Sequence, residues 1–339
     1  MLNRPRKNSD RIRYAAASFL AVGLLGYFGP LVKAQSKPRV VVTTALLCDV
    51  TKQIAQDTLD IKCLLSAGSD PHIYQSTPDD RRSIDAAQLV LYSGYDFEPA
   101  LIKLIKATSN PAPKVAVDEL AVPKPQTFEE DGKIETDPHV FHNAENGVAI
   151  VRVVGESLSK IQPEQSSLYT ANATKLANEF SQIHRWIKTQ ISTIPVNQRK
   201  LVTTHDAFGY YSTAYGIPVL GALQGISTDE KPTAKRIVEL VKLVKSSGVP
   251  TIFVEMTTNP KLIEAVARES KVKVSGQELF ADGIGESGSV AESYTKMLIS
   301  NTKTIVEGLD GKYTEFRLEP ATSTIAPKST SALVMPASR

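Results

Sequence analysis

Histidine is scarce in this 339-residue chain, with five in all, and cysteine is scarcer, with two. No His-Glu-x-x-His pair occurs, which excludes the helix-borne metal pair of the zinc proteases. Basic charge is also lacking once the beginning is set aside. Residues 1–34 carry six basic side chains (Arg4, Arg6, Lys7, Arg11, Arg13, Lys33) against one acid, Asp10, so the formal +3 of the whole chain becomes −2 without them. No face for nucleic acid is implied by such a balance. The two cysteines, Cys48 and Cys63, leave two readings open. They form a disulfide in an oxidising compartment, or they are two small buried hydrophobes. Cys48 is expected at the start of the first helix and Cys63 in the strand that follows. A thiolate metal site is the least favoured reading.

The basic cluster is followed by an uncharged stretch from Tyr14 to Val32 and then by Val32-Lys33-Ala34, a small-residue cleavage pattern. Residues 1–34 therefore read as an export signal that is removed. Gly23, Gly26, Gly29 and Pro30 break the run that a retained membrane anchor would need. With no cysteine near the cleavage point, a lipid-modified terminus is not expected.

At 42% hydrophobic content the remainder can bury two sizeable cores. From Arg39 short β-branched runs alternate with amphipathic stretches, the pattern of a parallel sheet covered on both faces. Strands are expected at Val40–Thr44, Ile61–Leu65, Leu89–Tyr92 and Val115–Val117, with helices through Asp49–Ala55 and Phe97–Ala107. The stretch from Pro123 to Thr136 holds two prolines and the acidic run Glu129-Glu130-Asp131, and reads as a solvated loop. Leu176, Phe180, Ile183, Ile187 and Ile191 then recur at helical spacing in a pattern that starts at Ser166 and ends before Pro195. About 28 residues at 1.5 Å each span roughly 42 Å, enough for a spine between two lobes. Alternation restarts with strands at Lys200–Thr204, Thr251–Val254 and Val272–Val274, and helices near Pro232–Ser246, Lys261–Ser270 and Val290–Leu309. The expectation is an α/β protein: an N-terminal lobe over 35–165, a rigid linking helix over 166–195, a C-terminal lobe over 196–312, and a flexible tail over 313–339.

Against the scarcity of histidine, the tripeptide Asp-Pro-His occurs twice, at Asp70-Pro71-His72 and Asp137-Pro138-His139. Proline restricts the backbone on either side, and a neutral imidazole ligates a divalent cation without a change of charge. His205 follows the apolar run Leu201-Val202, where parallel sheets bind ligands beyond the strand ends. Asp282 lies in a glycine-rich loop after Val272–Val274. Together, His72, His139, His205 and Asp282 are the expected metal ligands. Glu255 is a reserve ligand or a carboxylate that orients an imidazole. His142 and His184 are read as bystanders, the first near the site and the second solvated on the long helix. Tyr92, Tyr95, Tyr210 and Tyr211 are expected to wall the lobes.

These motifs resemble the periplasmic metal-binding receptors of ABC importers for manganese and zinc, the cluster A-I or helical-backbone metal receptors. The resemblance runs from about Arg39 to Asp310 and rests on Gly68-Ser69-Asp70-Pro71-His72, Asp137-Pro138-His139-Val140, Thr204-His205-Asp206-Ala207-Phe208 and Glu278-Leu279-Phe280-Ala281-Asp282. It implies two similar lobes on one rigid helix, with the four ligands at their interface. It further implies one divalent metal ion as cargo, and delivery by a monomer to a membrane permease with a cytoplasmic ATPase. No organic substrate is implied. The chain departs from the family at Phe141-His142-Asn143-Ala144, where Trp-Leu-Asp-Pro is usual, and has no histidine-rich insertion around Thr127–Lys133. Strict manganese members often carry glutamate at the position of His205. The surroundings of Gln224–Thr228 and Asp282 look closest to the branch described as binding either metal. Three imidazoles favour zinc by the Irving–Williams order, and the missing insertion favours manganese, so both stand. A metal-dependent hydrolase and a metal-binding surface adhesin are the alternatives, since the same donors could hold an activated water and some relatives are described as adhesins.

Overall fold

A computed structural model describes residues 36–130 and 133–320, so the expected export signal and residues 321–339 lie outside the described part. The first sheet consists of β1 (Arg39–Val42), β2 (Asp60–Cys63), β3 (Leu89–Tyr92) and β4 (Lys114–Ala116), parallel throughout in the order β2-β1-β3-β4. Val40 pairs with Ile61 on one side and with Leu89 on the other. All of Val40, Val41 and Val42 are buried, as a central parallel strand requires.

The helices that cover this sheet begin where their capping residues say they should. Thr44 opens α1 (Ala45–Ala55) by accepting from Leu47 N. Thr77 and Asp80 form a reciprocal capping box at the head of α2 (Pro78–Asp85), and Pro99 occupies the first turn of α3 (Pro99–Ala107). The short helix α4 (Val117–Ala121) follows β4 directly. Cys48 in α1 and Cys63 at the end of β2 form a disulfide with their Cα atoms 5.9 Å apart, which decides between the two open readings.

The expected solvated loop is instead an antiparallel hairpin, β5 (Thr127–Glu130) and β6 (Lys133–Thr136). Thr127, Phe128, Ile134 and Thr136 provide the β-forming side chains that the flanking prolines and acids mask in the sequence. Tyr210 accepts from Gln126 N at 2.8 Å and Asp137 N donates to Gln126 O at 3.0 Å, so the hairpin leads rigidly into His139.

Residues 144–161, for which the sequence raised no expectation, form α5 (Ala144–Ile161), capped by Asn143. It packs along the long helix α6 (Ser166–Ser192), where Gly147 lies so close to Phe180 that a Cβ would come within 2.8 Å of the ring. Leu176, Phe180, Ile183, Ile187 and Ile191 of α6 are all buried. At 27 residues the helix is about 40 Å long.

The second half repeats the first in abbreviated form. Strand β7 (Leu201–Thr203) pairs in parallel with β8 (Val219–Ala222), and β9 (Thr251–Ile252) with β10 (Lys273–Val274). A bond from Phe253 N to Val202 O at 2.9 Å stitches the two pairs together. Between them lie α7 (Gly209–Tyr215), α8 (Ala234–Ser247) and α9 (Lys261–Ser270), and α10 (Tyr294–Gly308) closes the fold. One core draws on both halves, with Val40, Leu91 and Phe97 in the same cluster as Phe208, Phe280 and Tyr294. From Lys37 the chain forms a single compact unit.

Over its described part, the segment expected as a flexible tail makes contacts with α6. Thr314 exchanges hydrogen bonds with Gln190, and Glu319 with Gln182, while Trp186 donates to Thr314 O. Trp186 also meets Tyr313 and Phe316 edge-on. The reason lies in those two aromatics and the two glutamines of α6, which give an irregular strap a surface to hold.

Glu98 is fully buried beneath the first sheet, where its Oε1 accepts from Thr43 and from Ser93 N, both at 2.8 Å. Burial pushes its carboxyl up to about 7 from an ordinary 4.5. The folded state therefore holds the Glu98 proton more tightly than the unfolded chain does. The stability this contributes is complete below pH 4.5 and is lost as the pH rises through about 7. Denaturant unfolding of the metal-free protein at pH 5 and pH 8 should show a loss that Glu98→Gln makes smaller by on the order of 3 kcal/mol. Equal losses in both proteins would mean that Glu98 titrates normally.

Candidate metal centre

Each expected ligand sits where the chain leaves a regular element. His72 lies nine residues past β2, His139 three past β6, His205 two past β7, and Asp282 in the loop after β10. Both Asp-Pro-His tripeptides make the same turn, in which Asp70 Oδ1 accepts from His72 N and Asp137 Oδ1 from His139 N, each at 2.9 Å. An aspartate that binds the backbone two residues on is a local device, complete within the tripeptide. The second oxygen of Asp70 accepts from Thr228 at 2.6 Å, which fixes the first turn to the second half of the chain.

The four side chains converge. His72 Nε2 and His139 Nε2 are 3.3 Å apart, and Asp282 Oδ1 lies 3.4 Å from each and 3.2 Å from His205 Nε2. All four donor atoms fall within 4.8 Å of one another, and together the residues could hold a metal ion. His139, His205 and Asp282 are buried, and the side chain of His72 is 4% exposed. Phe97 meets both His72 and His139 edge-on, with ring centroids at 5.1 and 5.5 Å.

Behind the donors stands a layer of acceptors. His139 Nδ1 bonds Asp137 Oδ1 at 3.0 Å and His205 Nδ1 bonds Glu255 Oε2. Glu255 also accepts from the backbone N–H groups of Thr204 and His205, so it is rigid itself. Thr257 donates to Asp282 Oδ2 at 2.6 Å. With Nδ1–H committed to a carboxylate, the neutral forms of His139 and His205 each turn an Nε2 lone pair inward. His205 Nε2 and Asp282 Oδ1 are buried without a hydrogen-bond partner despite their closeness.

The electrostatics agree. Burial would raise the Asp282 carboxyl, but His205 and then His139 and His72 hold it well below the usual range. Burial would lower His205, yet Glu255 and Asp282 push it well above an ordinary histidine. His139 is likewise raised against its burial by Asp137 and Asp282. The centre demands positive charge, which protons or a metal cation can supply.

Glu255 bonds His205 Nδ1 and lies outside the four-residue group that could hold a metal ion. Sequence reading gave no role to Asp137, Thr257 or Thr228. Asp137 was within reach, since the tripeptide repeat marks both aspartates, whereas the threonines carry no pattern. His142 lies outside the donor group, fully buried, with Nε2 donating to Ala281 O at 2.8 Å. His184 is not solvated as expected. Its side chain is 13% exposed, with the ring against Tyr215, because α7 covers that face of α6.

The family model of the periplasmic zinc-uptake complex component A matches residues 40–308. The zinc-binding protein TroA of Treponema pallidum is 34% identical over 303 residues, covering 86% of this chain and 97% of that protein. The manganese ABC transporter substrate-binding lipoprotein PsaA of Streptococcus pneumoniae is 30% identical over 280 residues, covering 80% and 89%. The solved structure of the periplasmic zinc binding protein TroA from Treponema pallidum superposes with a TM-score of 0.76 at 33% identity, covering 81% of this chain and 99% of that one. Among the described residues no helix is long and apolar enough to cross a membrane.

Asp137→Asn and Glu255→Gln keep the shape behind the two imidazoles and remove the charge. Each should weaken metal binding about 10- to 100-fold in a chelator competition, while the metal-free protein stays folded. Unchanged affinity would make these carboxylates braces of the fold and not of the donors.

Proposed function

The chain belongs to the family of periplasmic zinc-uptake complex component A proteins, and from that membership we propose that it is the substrate-binding receptor of an ABC importer for manganese or zinc. It captures one divalent ion as cargo between its two halves and passes it to a membrane permease driven by a cytoplasmic ATPase. One observation carries this reading: three imidazoles and a carboxylate face one another in a buried place, with His205 Nε2 and Asp282 Oδ1 unpartnered. Such an arrangement repels itself unless a cation stands between the donors. His72, His139, His205 and Asp282 are its ligands in this reading, and Glu255 and Asp137 orient two of them.

The donor set selects by chemistry. Imidazole nitrogens favour transition metals over calcium and magnesium, which take oxygen ligands. Relatives of comparable similarity are named for zinc and for manganese, and imidazole and carboxylate donors suit either ion. A cleft of about 790 Å³ reaches His72, with Tyr95, Asp96, Glu119 and Asp229 in its walls, and its acidic lining suits an arriving cation. Four protein ligands in a closed pocket support capture and release over catalysis, for which a position open to water is the rule. In this reading residues 1–34 direct export to the periplasm and are cleaved.

Chelator-stripped protein offered equimolar manganese and zinc should retain one equivalent of metal, counted by elemental analysis. A thousandfold excess over the dissociation constant should stabilise it by about 4 kcal/mol. His72→Ala and His205→Ala should each lose the metal with the apo fold intact. No stoichiometric binding by the wild type would falsify the receptor reading.

A further inference from the structure

The imidazole of His142 is fully buried beside the centre but takes no part in the donor group. It closes the 3₁₀ turn Val140–His142, three residues after His139. The ring stacks on Phe208, with centroids 4.4 Å apart and planes 24° from parallel, and tilts against Phe141 at 4.8 Å. Its Nε2 lies 2.8 Å from Ala281 O, and since a carbonyl oxygen can only accept, Nε2 carries the proton and donates. Ala281 immediately precedes Asp282.

The peptide around Asp282 is held at successive points. Asn301 of α10 takes both N and O of Phe280, and Thr257 holds Asp282 Oδ2. Both holders come from the same half of the chain as Asp282. His142 comes from the other half, and through it the turn that bears His139 is tied to the loop that bears Asp282. A bond from Gly68 N to Ile284 O, at 3.1 Å, makes a second crossing two residues past Asp282.

We propose that His142 is a positioning residue of the metal centre, whose Nε2–H bond to Ala281 fixes His139 against Asp282 and slows release of the ion. This rests on the receptor reading above. The choice of group follows from the place. A lysine or arginine there would donate equally well but would set a fixed positive charge beside the incoming cation. An imidazole donates while neutral; stacking on Phe208 fixes the plane of the ring, and the bond to Ala281 O fixes its flip. Without a donor, the Ala281 carbonyl is buried and unpaired, and that cost falls on the closed, metal-bound arrangement.

The experiment follows zinc or manganese release by chelator chase from purified wild type, His142→Leu, His142→Asn and His142→Gln, with association rates and apo unfolding temperatures measured alongside. Leu should release the ion about tenfold faster (about 1.4 kcal/mol) at an unchanged association rate. Gln places an amide nitrogen where Nε2 stood and should stay within about twofold of wild type; the shorter Asn should behave like Leu. Should Leu fail to fold, the contrast of Gln with Asn decides. Release at the wild-type rate from Leu and Asn, or equal acceleration in all three variants, would overturn the proposal. A wild type that binds no metal would overturn the receptor reading and this inference with it.

Discussion

Four electron-rich atoms held face to face are the constraint on which the rest of this structure depends. Asp282 Oδ1 stands 3.2–3.4 Å from three imidazole nitrogens, and no sheet or helix supplies that arrangement directly. Each donor is instead fastened from behind, by an Asp-Pro-His turn, by a carboxylate on Nδ1, or by a threonine hydroxyl. Asp137 and Glu255 are buried, and buried carboxylates and imidazoles are costly unless fully paired. The fold meets that cost by sealing the centre inside a core common to both halves, with Phe97 and Phe141 against its imidazoles.

The common core bears on how the molecule can move. Tyr294 Oη–H donates to Phe141 O, Ala144 N to Tyr215 Oη, and Tyr294 N to Asp49, all across the two halves. Helix α6 is flanked by α5 for most of its length and by the strap of residues 311–319 toward its end. A wide hinge opening would have to break many of these bonds at once. Loading and unloading by this chain are better served by small displacements of the loops that bear His72 and Asp282, each linked to the other half by few hydrogen bonds.

Much of this was legible in the residues because it is local. The Asp-Pro-His turn closes within three residues, and the long helix shows its buried stripe at Leu176, Phe180, Ile183, Ile187 and Ile191. The α/β alternation and the convergence of His72, His139, His205 and Asp282 were read the same way, from strand ends and turn chemistry. What escaped depends on distant partners. Helix α5 is rich in β-branched residues whose helical propensity is poor, and only packing on α6 makes it helical. The hairpin at Thr127–Thr136 escaped for a local reason, being punctuated like a loop. His142 and His184 look alike in sequence, and only Ala281, 139 residues away, and Tyr215 tell what each is doing.

The strap along α6 has a consequence in optics. Trp186 is the only tryptophan in the chain, and its indole sits between Tyr313 and Phe316 with its N–H on Thr314 O. The tryptophan fluorescence of the protein therefore originates beneath the strap, among aromatics that have no part in the donor cluster. A change in that emission registers the strap lifting or settling on the helix, and the molecule carries its own gauge of that one contact.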